Sequence, residues 1–210
     1  ERVFLRGPSG SGKSTLLNLL AGVALPRSGM LKVLGQDMNA LRSAQRDHFR
    51  AHHIGFIFQM FNLIPYLSVV ENVTLPCRFS SKRKHKVLAQ ADSLEHEAIR
   101  LLDHLDMAHA DVLYKPVNEL SVGQQQRVAA ARALIGAPEL VIADEPTSSL
   151  DADRRTAFID LLFRECGSAN ATLIFVSHDN SLQAPFERTI EFEQLSSAAR
   201  TDQPKLKAVT

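Results

Sequence analysis

The stretch GPSGSGKST, Gly7–Thr15, sets glycines, a lysine and hydroxyls at the spacing G-x-x-x-x-G-K-[ST], after an apolar run and before a helical one. Gly7, Gly10 and Gly12 let the backbone curl until successive N–H groups face inward as a nest for an anion. The start of the following helix adds partial positive charge. Gly7, Pro8, Ser9, Gly10, Ser11 and Gly12 form the cradle. Lys13 offers a full charge to the β- and γ-phosphates of a nucleoside triphosphate, Ser14 a hydroxyl ligand for Mg²⁺, and Thr15 a donor to the α-phosphate. A phosphate loop alone leaves kinases, GTPases and ATPases open.

LVIADEP, Leu140–Pro146, narrows the chemistry. A buried strand ending in Asp144-Glu145 delivers two carboxylates beside the loop. Asp144 is expected to hold the magnesium ion through a water, and Glu145 to polarise an attacking water as general base, which points to hydrolysis. His178, directly after TLIFVS, falls at the same sheet edge and is a candidate γ-phosphate contact.

These residues need a frame that brings strand ends together. Strand signals occur at Val3–Arg6, Ile54–Phe58, Leu140–Ala143, Thr172–Ser177 and Thr189–Phe192. The first, third and fourth are apolar almost throughout, as in a parallel sheet covered on both faces. Helical periodicity follows at Ser14–Ala21, at Arg154–Glu165 and in a short turn after His178, so the expected fold is α/β, with a mostly parallel sheet flanked by helices. Between Gln59 and Gly136 the pattern turns helical: AQADSLEHEAIRLLDHLDM spaces Leu94, Ala98, Leu101, Leu102 and Leu105 along one face. The expected organisation is an ATPase core of 1–59 and 137–195, an all-helical insertion at 60–136, and a disordered polar tail at 196–210. Because RVFLRG at the very start reads as a central strand, strands upstream of it are expected to be missing.

ELSVGQQQR, residues 119–127, reads as a helix start: Ser121 is a good N-cap, and Gln124 can reach back to complete a capping box. A capped helix does not explain why the helix begins with Val-Gly.

The chain of 210 residues is 45% hydrophobic and 22% charged with net charge +1, an ordinary globular composition and no general magnet for nucleic acid or anionic lipid. Cys77 and Cys166 form no disulfide framework, and with no signal peptide they are expected to be reduced thiols, packed as small hydrophobes in a cytosolic chain. SKRKHK, Ser81–Lys86, reads as a solvated helix start. His48, His52 and His53 lack a third type of ligand and make a poor zinc site.

Taken in order, the phosphate loop, LSVGQQQR, LVIADEP and SSLD resemble the nucleotide-binding subunit of an ABC transporter, over nearly the whole chain. The resemblance implies an ATP-hydrolysing subunit using ATP and Mg²⁺, working as a dimer of ATPase subunits, a homodimer by expectation. It implies an integral membrane permease as partner, so the subunit would be peripheral on the cytoplasmic side of the inner membrane, touching the membrane only through the permease and binding no nucleic acid. Leu120–Gln124 aligns with the family's signature, which completes the ATP site of the opposing subunit. Ser121 and the Gly123 N–H would then donate to a γ-phosphate in trans, with Gln124 beside them. Val122 stands where the family usually has glycine and forbids the positive φ that glycine permits. Gln59 resembles the glutamine that approaches Mg²⁺ and water, with Asp151 resembling the aspartate of the dimer interface. His178 resembles the switch histidine, making Glu145, His178, Gln59 and Lys13 the catalytic set and Ser14, Gln59 and Asp144 the metal set.

HHIGFIFQMFNLIPYLSVVENVTLP further resembles ATPases paired with permeases of the lipoprotein-releasing and macrolide-export kind. There Phe61–Val73 would carry part of the groove for the permease, with Phe61, Leu63, Ile64 and Tyr66 as anchors or, equally, as core. The rival readings are a soluble ABC-type ATPase of translation or DNA repair, which usually has paired ATPase domains or a long coiled-coil insertion, and a small-molecule kinase, which needs neither Ser121–Gln124 nor His178.

Overall fold

The computed structural model describes residues 1–8, 10–148, 150 and 152–195, with the backbone alone at 152 and 153. Ser9, Ser149, Asp151 and the tail 196–210 lie outside the described residues. In chain order the elements are β1 (Arg2–Arg6), α1 (Lys13–Leu20), β2 (Lys32–Val33), β3 (Gln36–Asp37), α2 (Ser43–His53), β4 (Ile54–Ile57), α3 (Val69–Thr74), α4 (Pro76–Phe79), α5 (Ser81–Leu88), α6 (Leu94–Asp103), α7 (Ala110–Leu113), α8 (Val122–Leu134), β5 (Leu140–Asp144), α9 (Ala152–Ser168), β6 (Thr172–Val176) and β7 (Arg188–Glu191). Short 3₁₀ turns occupy Val117–Glu119 and Asn180–Leu182.

A five-stranded sheet runs in the order β4-β5-β6-β1-β7 with every pairing parallel, and β2 and β3 form a separate antiparallel ribbon. The strands alternate between two cores. Phe4, Val141, Ala143, Leu173 and Phe175 point to a core shared with the helices between β4 and β5, including Val73, Leu101, Leu102 and Val128. Leu5, Leu140, Ile142 and Val176 point the other way, onto Leu17 and Ala21 of α1 and onto Met38. Both faces are covered, which is why these strands read as unbroken apolar runs.

Element ends shift from the sequence reading by up to three residues. The fourth strand ends at Ile57, one residue short of Phe58, and β7 ends at Glu191 before Phe192. Helix α9 extends a turn beyond Glu165 to Ser168. Two elements were not anticipated: helix α2, which buries none of its residues and so shows no apolar stripe, and the β2–β3 ribbon, whose strands are too short to show alternation.

The basic run Ser81–Lys86 is a correction. Ser80 caps α5 through the Arg83 N–H, but the run is not a solvated face. Arg83 is buried and donates to the carbonyls of Ile135 (2.8 Å from Nε) and Ala133 (2.7 Å), while Lys82 and Lys86 pair with Glu139. A guanidinium at the C-terminal end of α8 meets the orphan carbonyls and the negative end of the helix dipole there, which offsets the cost of burying it. Cys77 and Cys166 are both buried in the shared core, and burial, helped by Glu165, pushes the Cys166 thiol up to about 12.

Helix α8 lies so close to β4 that a Cβ on Gly55 would stand 2.2 Å from the Ala133 carbonyl oxygen, the acceptor of Arg83. Gly55→Ala is therefore expected to destabilise the protein by about 3 kcal/mol in urea unfolding, since backbone rather than a side chain must give way.

Candidate functional site

Gly12 caps α1 with φ 107°, a left-handed conformation that a side chain would resist, and Lys13 is the first helical residue. The Lys13 ammonium folds back over the loop, donating to the carbonyls of Gly7 (2.6 Å) and Pro8 (2.8 Å). Ser14 lies beside the end of β5, its Oγ 3.5 Å from Asp144 Oδ2. Ser11 Oγ is buried with no partner among the described residues. Burial, and then the neighbouring Glu145, raise the Asp144 carboxyl above its usual range against the pull of Ser14 and Lys13.

Glu145 follows the strand in a left-handed conformation, φ 48°, while its N–H still donates to the Val176 carbonyl at 3.0 Å. That bend turns its mostly buried side chain toward His178, whose Nδ1 is 3.0 Å from Glu145 Oε1 on a largely exposed ring. Gly10, Gly12, Lys13, Ser14, Thr15, Gln59, Asp144, Glu145 and His178 line one open cleft of about 530 Å³. The structure thus gathers residues from the ends of four strands, β1, β4, β5 and β6.

Ser121–Gln124 is not among the residues of that cleft. It forms the start of α8: Gln124 N–H donates to Ser121 Oγ (3.3 Å) and Ser121 N–H to Gln124 Oε1 (2.9 Å), the reciprocal box expected from the sequence. Val122 is the first helical residue, exposed, and is not among the residues of positive φ. Its side chain therefore imposes no backbone strain here. Gly123 sits beside Leu150, with room for 3.8 Å to its side chain. Asp151 lies outside the described residues.

Sequence reading missed three polar residues that tie segments together, Arg132 and Asn72 buried and Arg155 partly so. Arg132 of α8 donates to the carbonyls of Asn62 (2.7 Å) and Phe61 (2.5 Å), and Asn72 of α3 bonds both backbone groups of Ile64. Arg155 of α9 joins Asp179, next to His178, to the Leu150 carbonyl. The acceptors of Arg132, and Asp179 as partner of Arg155, lie too far along the chain for any spacing rule to show them. Of the four suggested groove anchors, Leu63 packs against the core and Tyr66 is exposed. The open groove nearby is lined instead by Ala44, His48 and Ala51 of α2, with Leu75, Pro76 and Phe79.

No helix among the described residues is long and apolar enough to cross a membrane. The family model for ABC transporters matches residues 1–148. The chain is 38% identical to the lipoprotein-releasing system ATP-binding protein LolD of Hydrogenovibrio crunogenus over 194 residues, 92% of this chain and 80% of that protein. It is 39% identical to the uncharacterized ABC transporter ATP-binding protein Rv0986 of Mycobacterium tuberculosis, covering 97% of this chain and 81% of that one. Against the probable syringafactin export ATP-binding/permease protein SyfD of Pseudomonas syringae it is 38% identical over 97% of its own length, and spans only 30% of that longer protein. In structure it is similar to the ATP-binding cassette MJ0796, solved as a post-hydrolysis dimer with ADP and Pi, at TM-score 0.78 and 34% identity over 91% of this chain and 80% of that one. With the strand order, the phosphate loop and the capped helix α8 in place, the chain belongs to the ABC transporter family, as an ATP-binding cassette that hydrolyses ATP.

Proposed function

We propose that this cassette drives an integral membrane permease of the lipoprotein-releasing or macrolide-export kind, as a homodimer peripheral on the cytoplasmic side of the membrane. The reading takes 1–59 and 137–195 as the nucleotide-binding core and 60–136 as the helical subdomain that faces the permease through the groove of α2, Pro76 and Phe79. A soluble role in translation or DNA repair is not favoured by relatives named for lipoprotein release and export.

The observation that carries it is the division of the site: one cleft holds Lys13, Ser14, Gln59, Asp144, Glu145 and His178, and the capped start of α8 stands outside it. The loop N–H groups of Gly7 and of Ser9 to Gly12, in a turn shaped by Pro8, hold the triphosphate together with Lys13 and Thr15. Ser121 and Gly123 of a second copy approach its γ-phosphate, each with the helix N-terminus behind it. Gln124 supports the pair through the cap, and Asp151 contributes at the interface. Asp144 and Ser14 offer hard oxygen donors side by side, with Gln59 on the same cleft, a donor set that fits Mg²⁺. Mg²⁺ bound there neutralises charge on the β- and γ-phosphate oxygens. Glu145 takes the proton of the attacking water, and His178, within hydrogen-bond distance of it, orients that carboxylate.

Glu145→Gln is expected to lower ATP hydrolysis by about 100-fold or more while leaving ATP binding intact. With excess MgATP it should give a dimer by light scattering, and a monomer would count against the reading. Adding Ser121→Ala to that variant should return it to a monomer. Ser121→Ala alone should lower turnover without changing thermal stability.

Asp144 yields a prediction on stability. Its folded-state pKa is raised, so the folded chain binds the proton more readily than the unfolded one. The penalty of the buried charge is therefore fully present above the folded pKa and disappears as pH falls toward the ordinary Asp value. In metal- and nucleotide-free buffer Asp144→Asn should raise the melting temperature at about pH 7.5, with the gain shrinking as the solution is acidified.

A further inference from the structure

After Gln59 and Met60 the chain turns through two consecutive non-glycine residues in the left-handed region, Phe61 at φ 57° and Asn62 at φ 49°. Such a pair persists only where its surroundings hold it. Local backbone bonds contribute, from Phe61 N–H to the Phe58 carbonyl and from Asn62 N–H to the Met60 carbonyl. The remaining hold comes from α8, about 70 residues further along the chain. The Arg132 guanidinium of α8 spans both strained residues, Nη1 donating to the Asn62 carbonyl and Nη2 to the Phe61 carbonyl.

Arg132 is 9% exposed and has no acidic partner among the described residues. Burial pushes its pKa down to about 10. A cation kept in the interior for two carbonyls is an expensive way to tie down a loop, and an apolar residue of similar size would pack there at less cost. Beyond the turn, Asn72 of α3 fastens Ile64, Leu67 and Ser68. From Phe61 onward, then, the segment is attached to the helices. Before it, β4 is attached to the sheet, and the joint between them is Phe58–Met60, where Gln59 lines the cleft and Met60 is 80% exposed.

Helix α8 ties this joint to a second place. It begins at Ser121–Gln124, about 16 Å along its axis from Arg132. We propose that Arg132 is a positioning residue for Gln59: by clamping the Phe61 and Asn62 carbonyls to α8, it makes the placement of Gln59 in the cleft follow the placement of Ser121 and Gly123. The fork geometry matters as well as the charge, because only a guanidinium presents parallel N–H groups to two successive carbonyls. This rests on the reading of Gln59 as a member of the catalytic set.

The test is a double-mutant cycle on ATP turnover in the full-length chain with MgATP. Gln59→Ala should lower kcat by about tenfold or more. Arg132→Lys keeps the charge and loses the fork; it should lower kcat by about tenfold with KM changed less than about twofold. If Arg132 acts through Gln59, the double variant falls no more than about twofold below Gln59→Ala alone, whereas a purely structural role gives the product of the two losses. A product overturns the inference and leaves the reading of Gln59 standing. An unchanged kcat in Gln59→Ala overturns that reading, and the inference with it. Should Arg132→Lys not fold, Met60→Gly loosens the link on the exposed side of the joint: it should reproduce the kcat loss, with Met60→Ala unchanged. Equal turnover in those two variants overturns the proposal.

Discussion

Parallel pairing aligns the carboxyl ends of neighbouring strands, and the chemistry of this cassette depends on how closely that register is kept. Leu5 pairs with Val176, Val176 with Asp144 and Ala143 with Ile57, so the residues that leave those strands emerge along one edge. A slip of one residue in β5 would put Glu145 in the place of Asp144 and exchange the two faces of the strand. Val141 and Ala143 would leave the core shared with the helices, and Leu140 and Ile142 would leave the core under α1. Packing on both faces thus fixes the placement of carboxylates that take no part in the packing themselves.

Helix α8 carries that register outward. Its start is closed by the Ser121–Gln124 box, its end by Arg83, and its flank rests on β4 across the bare backbone of Gly55. The segment between β4 and α3 is held from the same side by Arg132 and Asn72. A helix held in this way moves as a unit, because its end groups have no slack and its neighbour has no side chain to yield. The helical lobe is joined to α9 by a further polar bridge, in which Glu165, almost buried, accepts from Arg100 and pairs with His104.

Much of this frame was readable in the sequence, and the failures have a common cause. Strands β1, β5 and β6 were legible because both of their faces are covered, and the α8 cap because its partners are three residues apart. The phosphate loop and Asp144-Glu145 were legible because charge and glycine at fixed spacing have few other uses. Gln59 came only through family resemblance, since a glutamine at a strand end carries no signal of its own. Arg83 and Arg132 were hidden: each is a basic residue in a polar or alanine-rich stretch whose acceptors lie about 50 to 70 positions away. Val122, standing where the family usually has glycine, adopts ordinary helical geometry in this structure.

The twist at Glu145 has a consequence for evolution under heat. A left-handed backbone beneath a branched-out acid costs about 1 kcal/mol that glycine or asparagine would give back. Selection for robustness alone would drift toward those smaller residues, and each would surrender the carboxylate that faces His178. With Glu145 as the proposed general base, the chain keeps a conflict between endurance and turnover at a single Cα, and its resistance to warming has to be won elsewhere.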